Sequence, residues 1–208
     1  QSLDFKLQYS DQQSDETYLG LTDEDYRRTP FRRYAGSQED VMNTEHSQFM
    51  LTHTARFSDY FRITTTAYRN DFKRNWYKLN DVSAAGNSSS ISNLLANPKD
   101  FPVLFGIVDG TQDFAGSALN VKNNNREYYS QGVQTKADYH FLTGDVYHDI
   151  EVGLRYHQDQ VDRFQWKDGF NMVNGNMTLI DPGTPGTDSN RVTDADAFAA
   201  HVLYKLKY

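Results

Sequence analysis

The sequence predicts an all-β fold, an antiparallel transmembrane β-barrel segment built from about six long strands. Apolar and polar residues alternate over long stretches, tight turns join some of these stretches, and long polar segments join the others. A period of two is typical of a strand with one apolar and one polar face. Bacterial outer-membrane barrels combine short turns at one end with long extracellular loops at the other. Together, the three observations favour a membrane barrel.

The clearest pattern is the hairpin at residues 126–166, which reads REYYSQGVQTKADYHFLTGDVYHDIEVGLRYHQDQVDRFQW. Val133, Ala137 and Tyr139 fall on one face of its first arm, whereas Lys136 falls on the other. The turn contains Gly144, which can supply the positive φ that a tight hairpin needs. A soluble antiparallel sheet with one wet face gives the same alternation, so the hairpin alone leaves both environments open.

The remaining strands are predicted in chain order. They are Ser2–Ser10, Gln48–Phe57, Tyr60 to about Trp76, and Ala195–Tyr208, with a short turn at Ser58 and Asp59. In the third strand the apolar residues do not keep to one face. Phe61 and Ile63 begin on one face, whereas Tyr68, Phe72 and Trp76 fall on the other. Either a bulge switches the faces or the upper part of the strand has left the membrane.

The strongest apolar positions of these strands are expected to face lipid. They are Leu3, Phe5, Leu7, Val133, Ala137, Tyr139, Ile150, Val152, Leu154, Val202 and Leu206.

Three long connections are predicted, at residues 11–44, 77–125 and 165–193. The second includes one or two turns of helix at Ser90–Asn97, capped by Ser90 and ended by Pro98. Structureless loops of this length are uncommon in compact soluble domains. Known membrane barrels of this kind start at about eight strands, and open edges are not permitted in lipid. Residues 1–208 are therefore expected to form part of a larger barrel.

Composition excludes several other classes. The sequence contains no apolar run of about 18 residues, so a helical membrane protein is excluded. The net charge of -7 argues against a nucleic-acid partner, because phosphate binding needs a basic surface. The absence of cysteine removes disulfides and thiolate metal sites. No nucleophile–base constellation, metal motif or cofactor motif stands out, so we expect neither an enzyme nor a bound cofactor.

Four strings resemble the TonB-dependent outer-membrane receptors, and among them the ferric dicitrate transporters. They are SDETYLGLTDEDYRRTPFRRYAGSQEDVMNTEHSQF, TTTAYRNDFKRNWYKL, YYSQGVQTKADYHF and HDIEVGLRYHQDQVDRFQW. The resemblance implies a 22-stranded barrel in the bacterial outer membrane, filled by a plug that residues 1–208 do not include. It also implies uptake of a ferric chelate, with iron present only in the transported chelate. The implied partners are the TonB complex, which acts through the plug, and outer-membrane lipid and lipopolysaccharide.

Arginines are the best candidates for ligand contact. Arg32 and Arg33 close the first long connection, and Arg69 and Arg74 lie where the third strand leaves the membrane. Because a tight turn joins the second and third strands, both pairs are expected at one rim. Guanidinium groups bind carboxylate oxygens bidentately, as an anionic iron–citrate complex requires. The arginines could instead pair with the acidic residues of 11–25 or with lipopolysaccharide phosphates.

Two other functions remain open. A passive porin would keep an open aqueous lumen and would need no plug. A soluble β-rich binding module would stay in solution without detergent.

Overall fold

The computed structural model describes residues 1–208 and confirms the predicted all-β antiparallel fold. The strands are β1 (Ser2–Ser14), β2 (Val41–Arg56), β3 (Phe61–Ala84), β4 (Asn87–Ser90), β5 (Phe114–Thr143), β6 (Val146–Val173), β7 (Asn176–Asp181) and β8 (Asp188–Lys207). The helices are α1 (Asp23–Arg28), α2 (Ile91–Ala96) and α3 (Pro102–Asp109), with a 3-10 turn at Ala35–Ser37. The three helices are all short, and none of them could span a membrane.

The strands form one open sheet in the order β1-β2-β3-β5-β6-β8, with β4 beside the end of β3 and β7 beside the end of β6. The six long strands of this order are the six predicted ones, and both predicted tight turns are present. β5 has 30 residues and β6 has 28. Since a tilted strand needs only about 9–11 residues to cross a bilayer, these strands extend far beyond one hydrocarbon layer.

The register between strands places the predicted apolar positions on a single face. One cross-strand row runs through Leu51, Ala67, Val133, Tyr156 and Phe198. We call this side the apolar face and the other side the polar face. Large side chains on the apolar face are open to the surroundings, since Leu3 is 66% exposed and Val202 is 72% exposed. A face that exposes large apolar side chains on neighbouring strands is typical of a surface that meets lipid or another protein.

Aromatic contacts mark the short-turn end of the apolar face. Phe61 packs against Tyr139 with ring centroids 6.3 Å apart, and Phe141 stacks on His148 at 4.4 Å. At the opposite end, a polar row of Arg69, Gln131, Gln158 and Asp196 crosses the same face. Phe61 to Arg69 spans nine residues of β3. We call this level of the sheet, between the aromatic contacts and the Arg69 row, the apolar band. Its length agrees with the roughly 9–11 residues of a membrane strand, and aromatic girdles are typical of outer-membrane barrels.

The mixed parity of β3 is explained without a bulge. Pairing with β2 runs unbroken from Arg56–Arg62 to Val41–Tyr77, and the only register shift in β3 lies between Leu79 and Asp81. Tyr68, Phe72 and Trp76 are therefore aromatic residues on the polar face. Of the two alternatives, the bulge is therefore excluded for Arg62–Tyr77, and β3 continues in one register past the last apolar residue of its apolar face.

The long connections fold into a cap at the end of the sheet remote from the short turns. Its core lies among α2, α3 and the ends of β3, β5 and β6, and the residues buried there come from all of these segments. They include Leu79, Val82, Ile91, Leu94, Leu104, Ile107, Val108, Leu119, Val121 and Met172. The expectation of structureless loops is therefore wrong, although the predicted helix at Ser90–Asn97 is confirmed as α2. Ser90 Oγ accepts a hydrogen bond from Asn93 N at 3.3 Å, as the capping prediction required.

Buried carboxylates tie the first connection into the cap. Asp40 accepts hydrogen bonds from Thr17 Oγ1 at 2.6 Å and from the Leu79 backbone N at 2.7 Å. Burial raises the pKa of the Asp40 carboxyl above its usual value. Asp25 accepts a hydrogen bond from the Tyr34 hydroxyl at 2.7 Å, which lowers the pKa of Asp25. These bonds fix residues 15–40 against the sheet, because buried polar groups are costly to leave unpaired.

Candidate functional site

Two of the four predicted arginines hold the cap together. Arg32 forms an ion pair with Asp25 at 3.2 Å, and its guanidinium lies 5.1 Å from the centre of the Tyr34 ring. Arg33 donates hydrogen bonds to the backbone oxygens of Ser37, at 3.1 Å, and Asp15, at 3.2 Å. Both side chains therefore have structural partners within the first connection.

Arg69 and Arg74 lie on opposite faces of β3, because they are an odd number of positions, five, apart in the strand. Arg69 is on the apolar face, where it forms an ion pair with Asp71 at 2.7 Å, donates to Gln131 at 2.9 Å and lies over the Tyr129 ring. Arg74 is on the polar face. The structure therefore does not bring the four arginines to one place. Ligand contact by each remains a prediction, and the geometry favours Arg74.

A row of four arginines crosses the polar face. Arg74 on β3 lies directly opposite Arg126 on β5, Arg126 lies opposite Arg163 on β6, and Arg163 lies opposite Arg191 on β8. We call these residues the arginine row. Like charges directly opposite one another on adjacent strands destabilise a sheet. An arrangement repeated over four neighbouring strands therefore carries a repulsive cost, which a bound anion would reduce.

The arginine row has no such anion within the chain. None of its members forms an ion pair with a carboxylate. Arg126 donates only to neutral groups, Asn124 Oδ1 at 3.2 Å and the Tyr128 hydroxyl at 3.5 Å. Arg74 Nε is buried without any hydrogen-bond partner. The row thus presents unsatisfied donors and uncompensated positive charge on one face.

A second basic row lies four residues beyond the first, where Lys78, Lys122 and Lys167 are cross-strand partners on β3, β5 and β6. Two of these lysines are neutralised, since Lys122 lies 2.9 Å from Asp188 and Lys167 lies 2.7 Å from Asp81. This lysine row extends the basic surface toward the cap.

Lys78 is the member of the lysine row without a salt bridge. It lies under residues of the first connection, with its Nζ 3.3 Å from the Tyr18 ring centre and 4.5 Å from that of Trp76. Burial lowers the pKa of Lys78 to about 8. Lys122, Arg74 and Arg126 shift this pKa in the same direction, whereas the Asp40 carboxylate opposes them.

Acidic residues lie on the opposite side of the same strand segments. They are Asp71, Glu127, Asp162, Asp194 and Asp196, which register places on the apolar-face side just beyond the apolar band. The chain as a whole has a net charge of -7, so concentration of arginine and lysine on the polar face is a departure from its average. A surface lined by one sign of charge attracts oppositely charged ligands.

The sequence reasoning missed Arg126, Arg163 and Arg191 because none of them lies next to another basic residue in the sequence. The pairing of Arg126 with Arg163 could have been predicted from the position of the hairpin turn. In the β5–β6 hairpin Thr143 pairs with Val146, and counting outward from that turn places Arg126 opposite Arg163. Alignment with Arg74 depends on the pairing of β3 with β5, which no tight turn sets. Alignment with Arg191 likewise depends on how β8 pairs with β6.

Comparison with known proteins identifies the fold class. No family model and no curated protein matches the sequence. The sheet is similar to part of a solved β-barrel, with a TM-score of 0.64 over 99% of this chain. That structure is the ferric citrate transporter FecA in the unliganded form, which is 14% identical. This chain spans 24% of the length of that transporter. At 14% identity the likeness shows the fold alone, a segment of an antiparallel barrel.

Proposed function

We propose that this chain is part of a TonB-dependent outer-membrane barrel that takes up a ferric chelate, with ferric dicitrate as the first candidate substrate. The arginine row carries the proposal, because four uncompensated guanidinium groups on one face suit a ligand with several carboxylates. Guanidinium–carboxylate pairs are charge-assisted and frequently bidentate. Iron would be part of the ligand and not a resident cofactor.

The apolar face supports the membrane location. Its exposed leucine, valine and phenylalanine side chains would be costly in water, and its aromatic girdle is typical of a barrel at a lipid interface. Arg74 lies five residues beyond the Arg69 row that ends the apolar band, on the side of the long connections. In outer-membrane barrels the long connections are extracellular. A ligand arriving from outside would therefore meet the arginine row before it reached the part of the polar face at membrane level.

The test of ligand binding uses the complete encoded protein in detergent. Titration with ferric citrate should give tight binding to the parent and much weaker binding to a double variant, Arg126→Gln with Arg163→Gln. Losing a buried charged partner typically costs about 2–5 kcal/mol, or roughly thirtyfold to several thousandfold in affinity. The matched control is Lys73→Gln, because Lys73 lies on the other face beside Glu127 at 3.7 Å. Equal affinity in all three proteins overturns the proposal.

Energy dependence separates the proposal from the passive porin. Cells that express the complete protein should accumulate iron from ferric citrate only when TonB is present. Uptake that persists without TonB indicates a porin. A purified protein that stays in solution without detergent indicates the soluble binding module and rules out both membrane functions.

A further inference from the structure

A short segment of the first connection lies over the polar face next to the arginine row. It comprises residues 15–19, and we call it the strap. The backbone oxygen of Glu16 accepts a hydrogen bond from Trp76 Nε1 at 2.9 Å, and the Tyr18 ring meets the Trp76 ring edge to face at 5.7 Å. Trp76 is two positions from Arg74 and on the same face of β3. The strap therefore borders the arginine row on the side of the cap.

The two ends of the strap are fixed by contacts outside the sheet. Arg33 Nη1 donates a hydrogen bond to the Asp15 backbone oxygen at 3.2 Å, and Leu19 is buried in the core of the cap. Between these ends, Tyr18 is 45% exposed and touches the sheet with one side of its ring. The contact of Tyr18 with the sheet can therefore change while the ends of the strap stay in place.

Lys78 is enclosed beneath the strap by the chain itself. It is only 8% exposed, with its Nζ 3.3 Å from the Tyr18 ring centre and 4.5 Å from that of Trp76. Such rings attract an ammonium group without neutralising its charge. Lys78 forms no salt bridge. Residues of this chain thus bury the ammonium group and leave its charge uncompensated.

The charges that act on Lys78 come from its own strand, from β5 and from the first connection. Burial is the main reason that the pKa of Lys78 is lowered to about 8. The Asp40 carboxylate of the first connection opposes that shift. Lys122 and Arg126 on β5 and Arg74 on β3 reinforce it. Two members of the arginine row therefore disfavour the protonated form of Lys78.

An anion bound at the arginine row would change this balance, because it would offset the charges of Arg74 and Arg126. Protonated Lys78 would then be less costly beneath the strap, and its pKa should rise. Anion binding and proton uptake would therefore promote each other. The same change favours the closed strap, since a buried charge without a partner opposes closure at neutral pH.

We propose that Lys78 is a positioning residue that couples anion binding at the arginine row to proton uptake and to closure of the strap. This inference deepens the proposed function and rests on it, because the anion is the ligand of that row. Lys78 acts through its charge and through the Tyr18 ring, without contact with the ligand. Without an anion, the charged Lys78 weakens the contact between the strap and the sheet. With an anion, the strap closes beside the bound ligand.

Proton uptake is the first readout. Ferric citrate is titrated by calorimetry into the complete protein in detergent, from about pH 7 to 10, in two buffers of different ionisation enthalpy. If the anion raises the pKa of Lys78 by about one unit, the parent should take up about half a proton per ligand near pH 8.5, and its affinity should fall about tenfold across the range. Protons exchanged by the ligand itself cancel in the difference between the parent and a variant.

The variants change the titration of Lys78 and leave the arginine row intact. Lys78→Arg keeps the charge but cannot release its proton, so it should lack the extra proton uptake and the additional fall in affinity. Lys78→Met also lacks a titrating group, and it gives the same test if arginine does not fit beneath Tyr18. Lys73→Met is the matched control, because Lys73 is exposed on the other face, and it should match the parent.

Hydrogen exchange of the strap is the second readout. At pH 7, ferric citrate should slow exchange of the backbone amides of residues 15–19 in the parent. In Lys78→Met the buried charge is absent, so these amides should be protected before the ligand is added and change little afterwards.

The outcomes separate the coupling from the proposed function. If the parent binds ferric citrate with the same proton uptake and the same pH profile as both Lys78 variants, the coupling is wrong while the arginine row stands. Proton uptake as expected, with no change in exchange of residues 15–19, overturns closure of the strap. If the folded parent binds no ferric citrate at all, the proposed function itself fails.

Discussion

Arg74 and Arg126 are direct cross-strand partners on the polar face, and neither has a carboxylate to neutralise it. Their neighbours along the same row, Arg163 and Arg191, are in the same position. Adjacent like charges in a sheet cost stability unless something else brings them together. The arginine row therefore lowers the stability of the sheet, and under the proposed function a bound anion would offset that cost.

If the arginine row lowers stability and binds an anion, one substitution should change stability and binding in opposite directions. Arg126→Gln should raise the melting temperature of the ligand-free protein, because it removes repulsion worth up to about 1 kcal/mol. Citrate should raise the melting temperature of the parent more than that of the variant, since a ligand stabilises the state that binds it. Thermal melts in detergent with and without citrate measure both effects. A ligand-free variant that melts below the parent contradicts the first part.

The apolar face should be sensitive to charge at mid-depth. Val133→Arg or Leu154→Arg is expected to lower the free energy of unfolding by about 2–4 kcal/mol, because arginine on a lipid face of a barrel must be buried in hydrocarbon. Gln134→Arg is the matched control, since Gln134 is adjacent to Val133 but points to the polar face. Denaturant-dependent folding into lipid vesicles provides the measurement. Equal losses on the two faces would argue against a membrane sheet.

The orientation of the sheet predicts which positions can be labelled from outside the cell. Residues 1–208 contain no cysteine, so an introduced cysteine is the single label in this part of the protein, and the parent protein serves as the labelling blank. Cysteines placed at Arg32, Asn97 or Gly175 in the long connections should react with a membrane-impermeant reagent in intact cells. Cysteines placed at Ser58 or Gly144 in the short turns should react only after the outer membrane is opened. The reverse pattern would invert the proposed topology.

Lys78 predicts a pH dependence above neutrality. Its pKa is lowered from 10.5 to about 8 in the folded protein, so the unfolded chain holds the proton more tightly. Between these two values the unfolded state binds more protons, and stability should therefore rise as pH increases through that window. Below about pH 8 the charged, buried Lys78 remains a cost.

Melting temperatures from about pH 7 to 10 should therefore rise more in the parent than in Lys78→Met. Lys73→Met is the control, because Lys73 is exposed on the other face. Tryptophan emission should report the same transition locally, since Trp76 lies beside Lys78. Identical pH profiles in the parent and Lys78→Met would show that Lys78 does not titrate in this range.

Local features of the fold could be predicted from the sequence. The alternation of Leu3, Phe5 and Leu7 defines a strand and its faces, since side chains on a strand alternate between two sides. Gly144 has a φ of +61°, as the hairpin turn required. Ser90 and Pro98 bounded α2 correctly. Each of these features depends on residues within a few positions of one another.

The rest depended on contacts between distant parts of the chain. Tyr68 and Trp76 looked like a change of face because apolar residues were assumed to share one side, but the aromatic residues lie on the polar face near Arg155 and Lys78. The cap could not be seen because Leu79, Leu94, Ile107 and Met172 meet only after the sheet has formed.

The sequence alone thus determined the strand class, the two faces and the short turns, because these follow from a period of two and from turn chemistry. The tertiary structure alone decided which charges stand together. Arg74, Arg126, Arg163 and Arg191 lie far from one another in sequence, and they become one row only through the register of four strands. Register between strands without a tight turn is set by long-range packing, and a shift of one residue would move a side chain to the other face.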